Sequence, residues 1–586
     1  MYDVPTEPML WSGWGDPAKA RDLPEPIRRL LGDLLGVRAP DVPAATLESV
    51  RLAPVALAPR HQAALARVAG PEHVLTSHEA RVRHTGGKST PDLLRMRAGE
   101  GVDAPDAVVL PGGHDEVVEL LRLCAAERLA VVPFGGGTSV VGGLSAARAG
   151  FAGVVCLDLG RMDRLAGVDT ESMIATFEPG VRAPDAERLL AAHGLTLGHF
   201  PQSFEYASLG GFAAARSSGQ ASAGYGRFDD MVMGLTLATP VGTLDLGRAP
   251  KSAAGPDLRQ LVLGSEGAFG VITSLRLRVR HLPRTGAYEG WRLPGFAAGT
   301  AALRALAQRG PLPAVLRLSD ETETMIGLAR PDDIGRTPPG GTGADTDTAG
   351  GSASRAASGG EGAEGAEGAE GAEGAEGAEG AASGGEMSGG GASGGESAGG
   401  GCLVIAGFEG VSEEARRTAA EVLSGFGGVP LGAEPGRAWE RGRFSAPYLR
   451  DSLLAAGATV ETLETATFWA GLPRLYDAVR LALLGALGAP LVMCHISHVY
   501  ETGASLYFTV VTAQEGDPVA QWERAKAAAS EAIVAAGGTV SHHHGVGRDH
   551  RDAYAAELGP LGVAILRAVK AEVDPRGIMN PGALIP

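Results

Sequence analysis

The residues with the most evident chemistry fall into two groups far apart in the chain. The first is Pro133-Phe134-Gly135-Gly136-Gly137-Thr138-Ser139-Val140. Three consecutive glycines remove every Cβ at a turn, so main-chain N–H groups approach a ligand closely and φ > 0 is accessible. Thr138 and Ser139 add hydroxyl donors, and such a nest suits a pyrophosphate. Taken alone, the glycine run also reads as an ordinary turn. The second group is His542-His543-His544, followed by Gly545-Val546-Gly547. Imidazole titrates near neutrality and suits general acid/base work. Neighbouring residues of a strand point to opposite faces, so one or two of the three would face a single site. A metal cluster or a surface run is the competing reading.

Local elements must position these groups. The glycine loop follows Ala107–Pro111 as a strand, Asp115–Arg128 as an amphipathic helix and Ala130–Pro133 as a second strand, a β-α-β unit. Gly153–Leu159 and Met173–Phe177 read as strands, and Pro184–His193 as a helix stopped by Gly194. Two more segments are poor in side-chain bulk. Ala207–Ala215 serves either tight helix packing or the backbone approach of a flat ligand, and Gly264–Thr273 leads into the strand Val271–Val279. Beyond Gly286, strands are expected at Val315–Leu318, Cys402–Phe408 and Ser505–Val511, with helices at Glu413–Ser424 and Pro518–Ala536. Asp517 and Pro518 suit the cap and first position of the last helix. Near the N-terminus Pro24–Leu35 has helical apolar spacing.

At 586 residues the chain should fold as more than one domain. Its net charge of −17 argues against nucleic acid or an anionic membrane as the main partner. Between Thr337 and Gly401 stand nine Glu, two Asp and one Arg, leaving −7 for the rest. That stretch contains seven consecutive Glu-Gly-Ala units from Glu361 and reads as a disordered surface insertion. Four scattered cysteines without CxxC spacing fit a reducing cytoplasm. No transmembrane run or signal peptide is visible, and the Ala-, Gly- and Arg-rich composition suggests a bacterial source.

The order and spacing of Pro105–Pro111, Pro133–Val140, Pro201-Gln202-Ser203 and Gly264–Thr273 resembles the FAD-binding domain of the vanillyl-alcohol oxidase / p-cresol methylhydroxylase superfamily. Within it, the chain resembles the alkyl-dihydroxyacetone-phosphate synthase family most. The motifs are Leu10-Trp11-Ser12-Gly13-Trp14-Gly15, Arg83-His84-Thr85-Gly86-Gly87-Lys88-Ser89, Tyr448-Leu449-Arg450-Asp451 and Ser541–Gly547.

The resemblance implies an α+β fold. An N-terminal helical and extended region (1–100) precedes a two-subdomain FAD-binding domain of the p-cresol methylhydroxylase type (101–284). An α+β substrate, or cap, domain follows (285–336 and 402–540), interrupted by the insertion at 337–401. A C-terminal helical segment (541–586) returns to the flavin. The implied cofactor is FAD, non-covalent because no His lies between His114 and His193. Its implied contacts are Pro133, Gly135, Gly136, Gly137, Thr138 and Ser139 at the pyrophosphate and Pro201, Gln202, Ser203, Gly210 and Gly211 at the flavin and ribityl chain. Glu266 and Ile272 fall toward the adenosine half. Tyr507, His542, His543 and His544 carry over as proton-transfer residues and Arg450 as the phosphate clamp, with no metal. Arg317 and His495 complete the substrate contacts, although the eukaryotic synthases carry an Arg in place of His495.

The implied reaction exchanges an acyl chain for a fatty alcohol on acyl-dihydroxyacetone phosphate, with no net redox change. A homodimer in the cytoplasm, touching the inner membrane face, fits a lipid substrate. The alternative is an FAD oxidoreductase of D-2-hydroxy acids, which shares the FAD domain and endings like Gly577–Gly582. The metal-binding His-x-Gly-Asp-Gly-Asn-x-His segment of that group is replaced here by His498–Ser505.

Overall fold

The computed structural model describes residues 7–145, 147–328 and 400–585. The expected insertion therefore lies outside the described residues, apart from its last two positions. Three sheets carry the molecule. In the first, β1 (Val74–Leu75), β2 (Ala107–Val109), β3 (Leu129–Phe134) and β4 (Gly153–Asp158) take the order β1-β2-β4-β3. Strands β2, β4 and β3 are parallel and β1 is antiparallel. Parallel strands covered on both faces become continuous apolar runs, which is how Leu129-Ala130-Val131-Val132 reads. Helix α1 (His114–Glu127) crosses between β2 and β3, with Asp115 and Glu116 in its first turn against the positive end of its dipole.

The second sheet is antiparallel, built from β5 (Leu165–Asp169), β6 (Ile174–Phe177), β7 (Val232–Thr239), β8 (Gly242–Leu246) and β9 (Val271–Arg278) in the order β8-β7-β9-β6-β5. The expected helix near Pro184 is α2 (Ala183–Ala191), and the small-residue segment contains the short α3 (Leu209–Ala215). Ser208 caps α3, its Oγ accepting from Gly211 N at 3.3 Å.

The third sheet has seven strands. In chain order they are β10 (Gly286–Leu293), β11 (Val315–Ser319), β12 (Cys402–Glu409), β13 (Val429–Gly432), β14 (Ala458–Phe468), β15 (Leu491–Ile496) and β16 (Gly503–Ala513). Their spatial order is β13-β10-β12-β11-β15-β16-β14, all antiparallel. Helix α4 (Glu321–Leu328) follows β11, and α5 (Ala446–Ala455) precedes β14. Helices α6 (Leu472–Leu487) and α7 (Pro518–Ala535) cover one face of this sheet, where Leu475, Val479, Leu483, Trp522 and Ile533 join its core. Asp517 caps α7 as expected, accepting from Val519 N and Ala520 N. Helix α8 (Arg551–Val573) then leads the chain back to the first sheet. There Val131 N donates to Ile578 O and Asn580 N to Val131 O, both at 2.8 Å, so the C-terminal residues lie alongside β3.

Candidate functional site

The glycine loop leaves β3 and turns at Gly137, whose φ of +70° is left-handed. A Cβ on Gly136 would stand 2.1 Å from the Tyr206 carbonyl oxygen, so the loop is pressed onto the chain leading into α3. Its other side faces a cavity of about 460 Å³. Pro133, Gly135, Gly136, Gly137, Thr138 and Ser139 line that cavity, as do Pro201, Gln202, Ser203, Gly210, Gly211, Glu266 and Ile272. A side-chain-free backbone loop at one end and flat, small-residue walls along the side fit an elongated dinucleotide flavin.

Glu266 is also tied to the C-terminal segment. Its carboxylate accepts from Val546 N at 2.6 Å and Gly547 N at 2.8 Å. Burial pushes its carboxyl up to about 7 against those two backbone donors. Glu266 therefore joins the flavin-side wall to the segment that carries the histidines.

The third sheet supplies the opposite wall. Tyr507 on β16 and His495 on β15 stack with ring centroids 4.7 Å apart. Burial pushes the Tyr507 hydroxyl up to about 12, so it stays protonated at neutral pH. The two expected arginines are both already paired. Arg317 on β11 donates to Glu323 Oε1 at 2.7 Å and to His495 Nδ1 at 2.9 Å. Burial opposes the charge on Glu323, but His495 and Arg317 outweigh it and hold that carboxyl at about 2. This cluster is close to neutral overall. Arg450 on α5 donates to Asp451 Oδ1 from Nε at 3.3 Å and Nη2 at 3.2 Å, and to the Lys88 carbonyl at 2.6 Å. Lys88 itself lines the cavity, and burial lowers its ammonium to about 7. Lys88 and Arg450 thus bring two cationic side chains to one part of the wall.

The histidine run forms a bend outside any strand. What shapes it is Glu464 of β14, a residue the sequence reading did not single out. Its carboxylate accepts from His542 N at 2.6 Å, His543 N at 3.0 Å, His544 N at 2.8 Å and Ser541 Oγ at 2.9 Å. Burial works against this charge, yet the imidazoles and backbone donors of the run hold the carboxyl well below its usual range. His543 and His544 line the cavity, and His542 does not. Of the three proton-transfer candidates, His542 is the one that the bend around Glu464 turns away from the cavity. Its Nε2 lies 2.6 Å from Tyr500 Oη and its Nδ1 lies 3.0 Å from His543 Nδ1.

Burial lowers His542 and His543 to about 4 and His544 to about 3, so all three are neutral at pH 7. His498 shares the cavity wall, its Nδ1 2.7 Å from Ser222 Oγ and 3.0 Å from Ser218 Oγ. Nitrogens of His498, His542 and His543 lie within 4.8 Å of one another. Those of His542 are already engaged by Tyr500 and His543, which leaves them in a hydrogen-bonded network. Glu464 and Glu323 are site residues that the sequence reading missed, and Lys88, His498 and Tyr500 stood inside its quoted segments without being assigned a role. A signal existed for Glu464: Glu461 and Glu464 interrupt a long β-branched strand sequence, where acids are rare without partners.

The model for FAD linked oxidases, C-terminal domain, matches residues 282–584, and that for an FAD binding domain matches 105–246. The alkyldihydroxyacetonephosphate synthase of Trypanosoma brucei brucei is 31% identical, over 99% of this chain and 93% of its own. That of Dictyostelium discoideum is also 31% identical, over 93% and 84%. A solved structure of alkyldihydroxyacetonephosphate synthase aligns over 98% of both chains with a TM-score of 0.75 and 27% identity. p-Cresol methylhydroxylase, at 14% identity and a TM-score of 0.60 over 90% of this chain and 96% of its own, shares the fold. The expectation of a p-cresol methylhydroxylase-type FAD-binding fold holds. With full-length synthase relatives, an FAD-binding domain match and a cavity shaped for a dinucleotide, the chain is an FAD-dependent enzyme and belongs to the FAD-linked oxidase family that includes the alkyldihydroxyacetonephosphate synthases.

Proposed function

We propose that this enzyme is an alkyl-dihydroxyacetone-phosphate synthase, which replaces the acyl chain of acyl-dihydroxyacetone phosphate with a fatty alcohol. The balance is ester plus alcohol giving ether plus carboxylic acid, with no net oxidation. One observation carries the reading: Arg450, Tyr507, His543 and His544 share a single cavity with a glycine loop more than 300 residues away in sequence. Held non-covalently by Gly135–Ser139, Pro201–Ser203 and Gly210–Gly211 in this reading, FAD would supply nucleophilic catalysis at the substrate carbon.

The chain's own residues have distinct parts. Arg450, with Lys88 beside it, holds the phosphate: both line the cavity, and Asp451 and the Lys88 carbonyl engage three of the five guanidinium N–H groups of Arg450, leaving two for a ligand. Tyr507 donates a proton at the reacting carbonyl, and neutral His543 and His544 accept protons there. Leu453, Met493 and Val511 give an apolar path for the chains. Leu449 lines the same cavity and is 54% exposed, which favours peripheral contact with a membrane at α5. The reading extends to a cytoplasmic homodimer. Incubation of the FAD-loaded enzyme with acyl-dihydroxyacetone phosphate and labelled hexadecanol should place label in an ether lipid and release one fatty acid. Bleaching of the flavin by D-lactate or glycolate, with electrons passed to a dye and no ether formed, would overturn it.

A further inference from the structure

A second cleft, of about 570 Å³, lies behind the histidine run. Phe468, Thr502, Ala556 and Glu557 form exposed parts of its wall, so it communicates with solvent. Tyr500 also lines it, on a turn fixed by Tyr500 N donating to Gly503 O at 2.8 Å and by Trp469 Nε1 donating to Glu501 O at 3.0 Å. The Tyr500 hydroxyl is 2.6 Å from His542 Nε2, and His542 Nδ1 is 3.0 Å from His543 Nδ1. His543 belongs to the flavin cavity. A hydrogen-bonded line therefore runs from the flavin cavity to Tyr500, which forms part of the second cleft's wall and whose hydroxyl also bonds Ser218.

We infer that Tyr500, His542 and His543 form a proton relay between the flavin cavity and solvent in the second cleft. The bookkeeping closes at each link. A proton arriving at His543 Nε2 makes an imidazolium. Its Nδ1 proton passes to His542 Nδ1, the His542 Nε2 proton passes to the Tyr500 oxygen, and the Tyr500 hydroxyl proton leaves to water. Several features suit the path. Burial lowers both His542 and His543, so neither ring holds an extra proton at rest. Burial raises the Tyr500 hydroxyl above its usual range, so it passes protons without storing charge. Arg227 donates from Nη1 to the His542 carbonyl at 2.9 Å and Glu464 grips the His542 amide, which hold the ring in line. The relay also gives His542, the histidine turned from the flavin, a task. It rests in part on the proposed reaction, which at neutral pH releases one proton per turnover as the acid leaves ionised.

The test uses the FAD-loaded full chain as wild type, Tyr500→Phe and His542→Gln. In lightly buffered solution, dithionite reduction of the bound flavin is followed together with a pH indicator. Both variants should take up the proton about ten-fold more slowly than wild type, at unchanged dithionite reduction, with imidazole restoring the rate. In turnover, kcat should fall by a similar factor at unchanged KM, again with imidazole rescue. Wild-type rates in both variants would overturn the relay. Slow proton uptake in the variants, with no ether formed even by wild type, would leave the relay standing and remove the synthase reading.

Discussion

Glu464 shows how much of this site depends on a residue that touches no ligand. It is a positioning residue: four donors converge on its two oxygens and fix the direction of three imidazoles. In Glu464→Gln an amide N–H would meet backbone N–H groups, leaving donors buried without acceptors. The substitution should cost about 3 kcal/mol of stability in urea unfolding and lower kcat with little change in flavin absorbance. Tyr507→Phe removes only a hydroxyl from a half-buried ring. It should retain FAD and fold stability while kcat falls about 100-fold, measured at saturating substrate. The two variants separate a residue that aims the histidine run from one proposed to transfer a proton. At this scale the sequence spoke through residue type. A tyrosine, an arginine and a histidine run are recognisable, whereas a carboxylate acting on backbone amides 78 to 80 residues away leaves no local pattern.

Elements differ in how openly they announce themselves. The crossover around α1 and the strand before the glycine loop were legible within a residue or two, because parallel strands buried on both faces are uninterrupted apolar runs. Strand β14 was not. It alternates Val and Leu with Thr and Glu, yet both its faces are buried, because its acids are held by the site. Functional residues had broken the periodicity that betrays a strand. Helix Glu25–Leu35 was the converse case: its apolar spacing is helical and it is a helix, but none of its residues is buried and Leu34 is 70% exposed. The glycine loop offers the sharpest test of an element. Gly136→Ala sets a methyl 2.1 Å from a carbonyl oxygen of the backbone beneath, so the loop must lift into the cavity. The purified variant should carry well under half the wild-type flavin per chain, read from its absorbance ratio, with the cap sheet intact by circular dichroism.

Across the whole molecule, buried ionisable groups oppose one another. Burial lowers His542 and His543 to about 4 and His199 and His544 to about 3. Each is a depressed group, so its stabilising contribution is present above the unfolded value of 6.5 and is lost as pH falls toward the folded value. Burial raises Glu187 and Glu266 to about 7. Each is a raised group, whose contribution is full below 4.5 and is lost as pH rises through about 7. Between these limits the two sets cancel in part, and urea unfolding should show a shallow dependence on pH from about 6.5 to about 4.5. Glu187→Gln removes one opposing term, and its stability should fall more steeply than wild type as pH drops through that window.

The N-terminal segment is a second whole-chain dependence. Leu10 O and Trp11 O accept from Lys88 Nζ, Trp14 N donates to Asp451, and Trp14 lines the cavity. Removing residues 1–16 should leave FAD bound and raise KM for the phosphate substrate several-fold, as Lys88 and Arg450 lose their supports. Contacts of this kind, between positions 88 and 450 or 131 and 578, pair residues that no local pattern relates.

The pairing of residues 578–580 with β3 has a consequence for biosynthesis. The glycine loop emerges from the ribosome well before the segment beside it and the histidines opposite it, which follow more than 400 residues later. A nascent chain can form the β-α-β unit long before it can enclose a flavin. Cofactor capture then waits on residues 542–580, and a chain stopped before residue 578 would hold the β-α-β unit yet remain colourless.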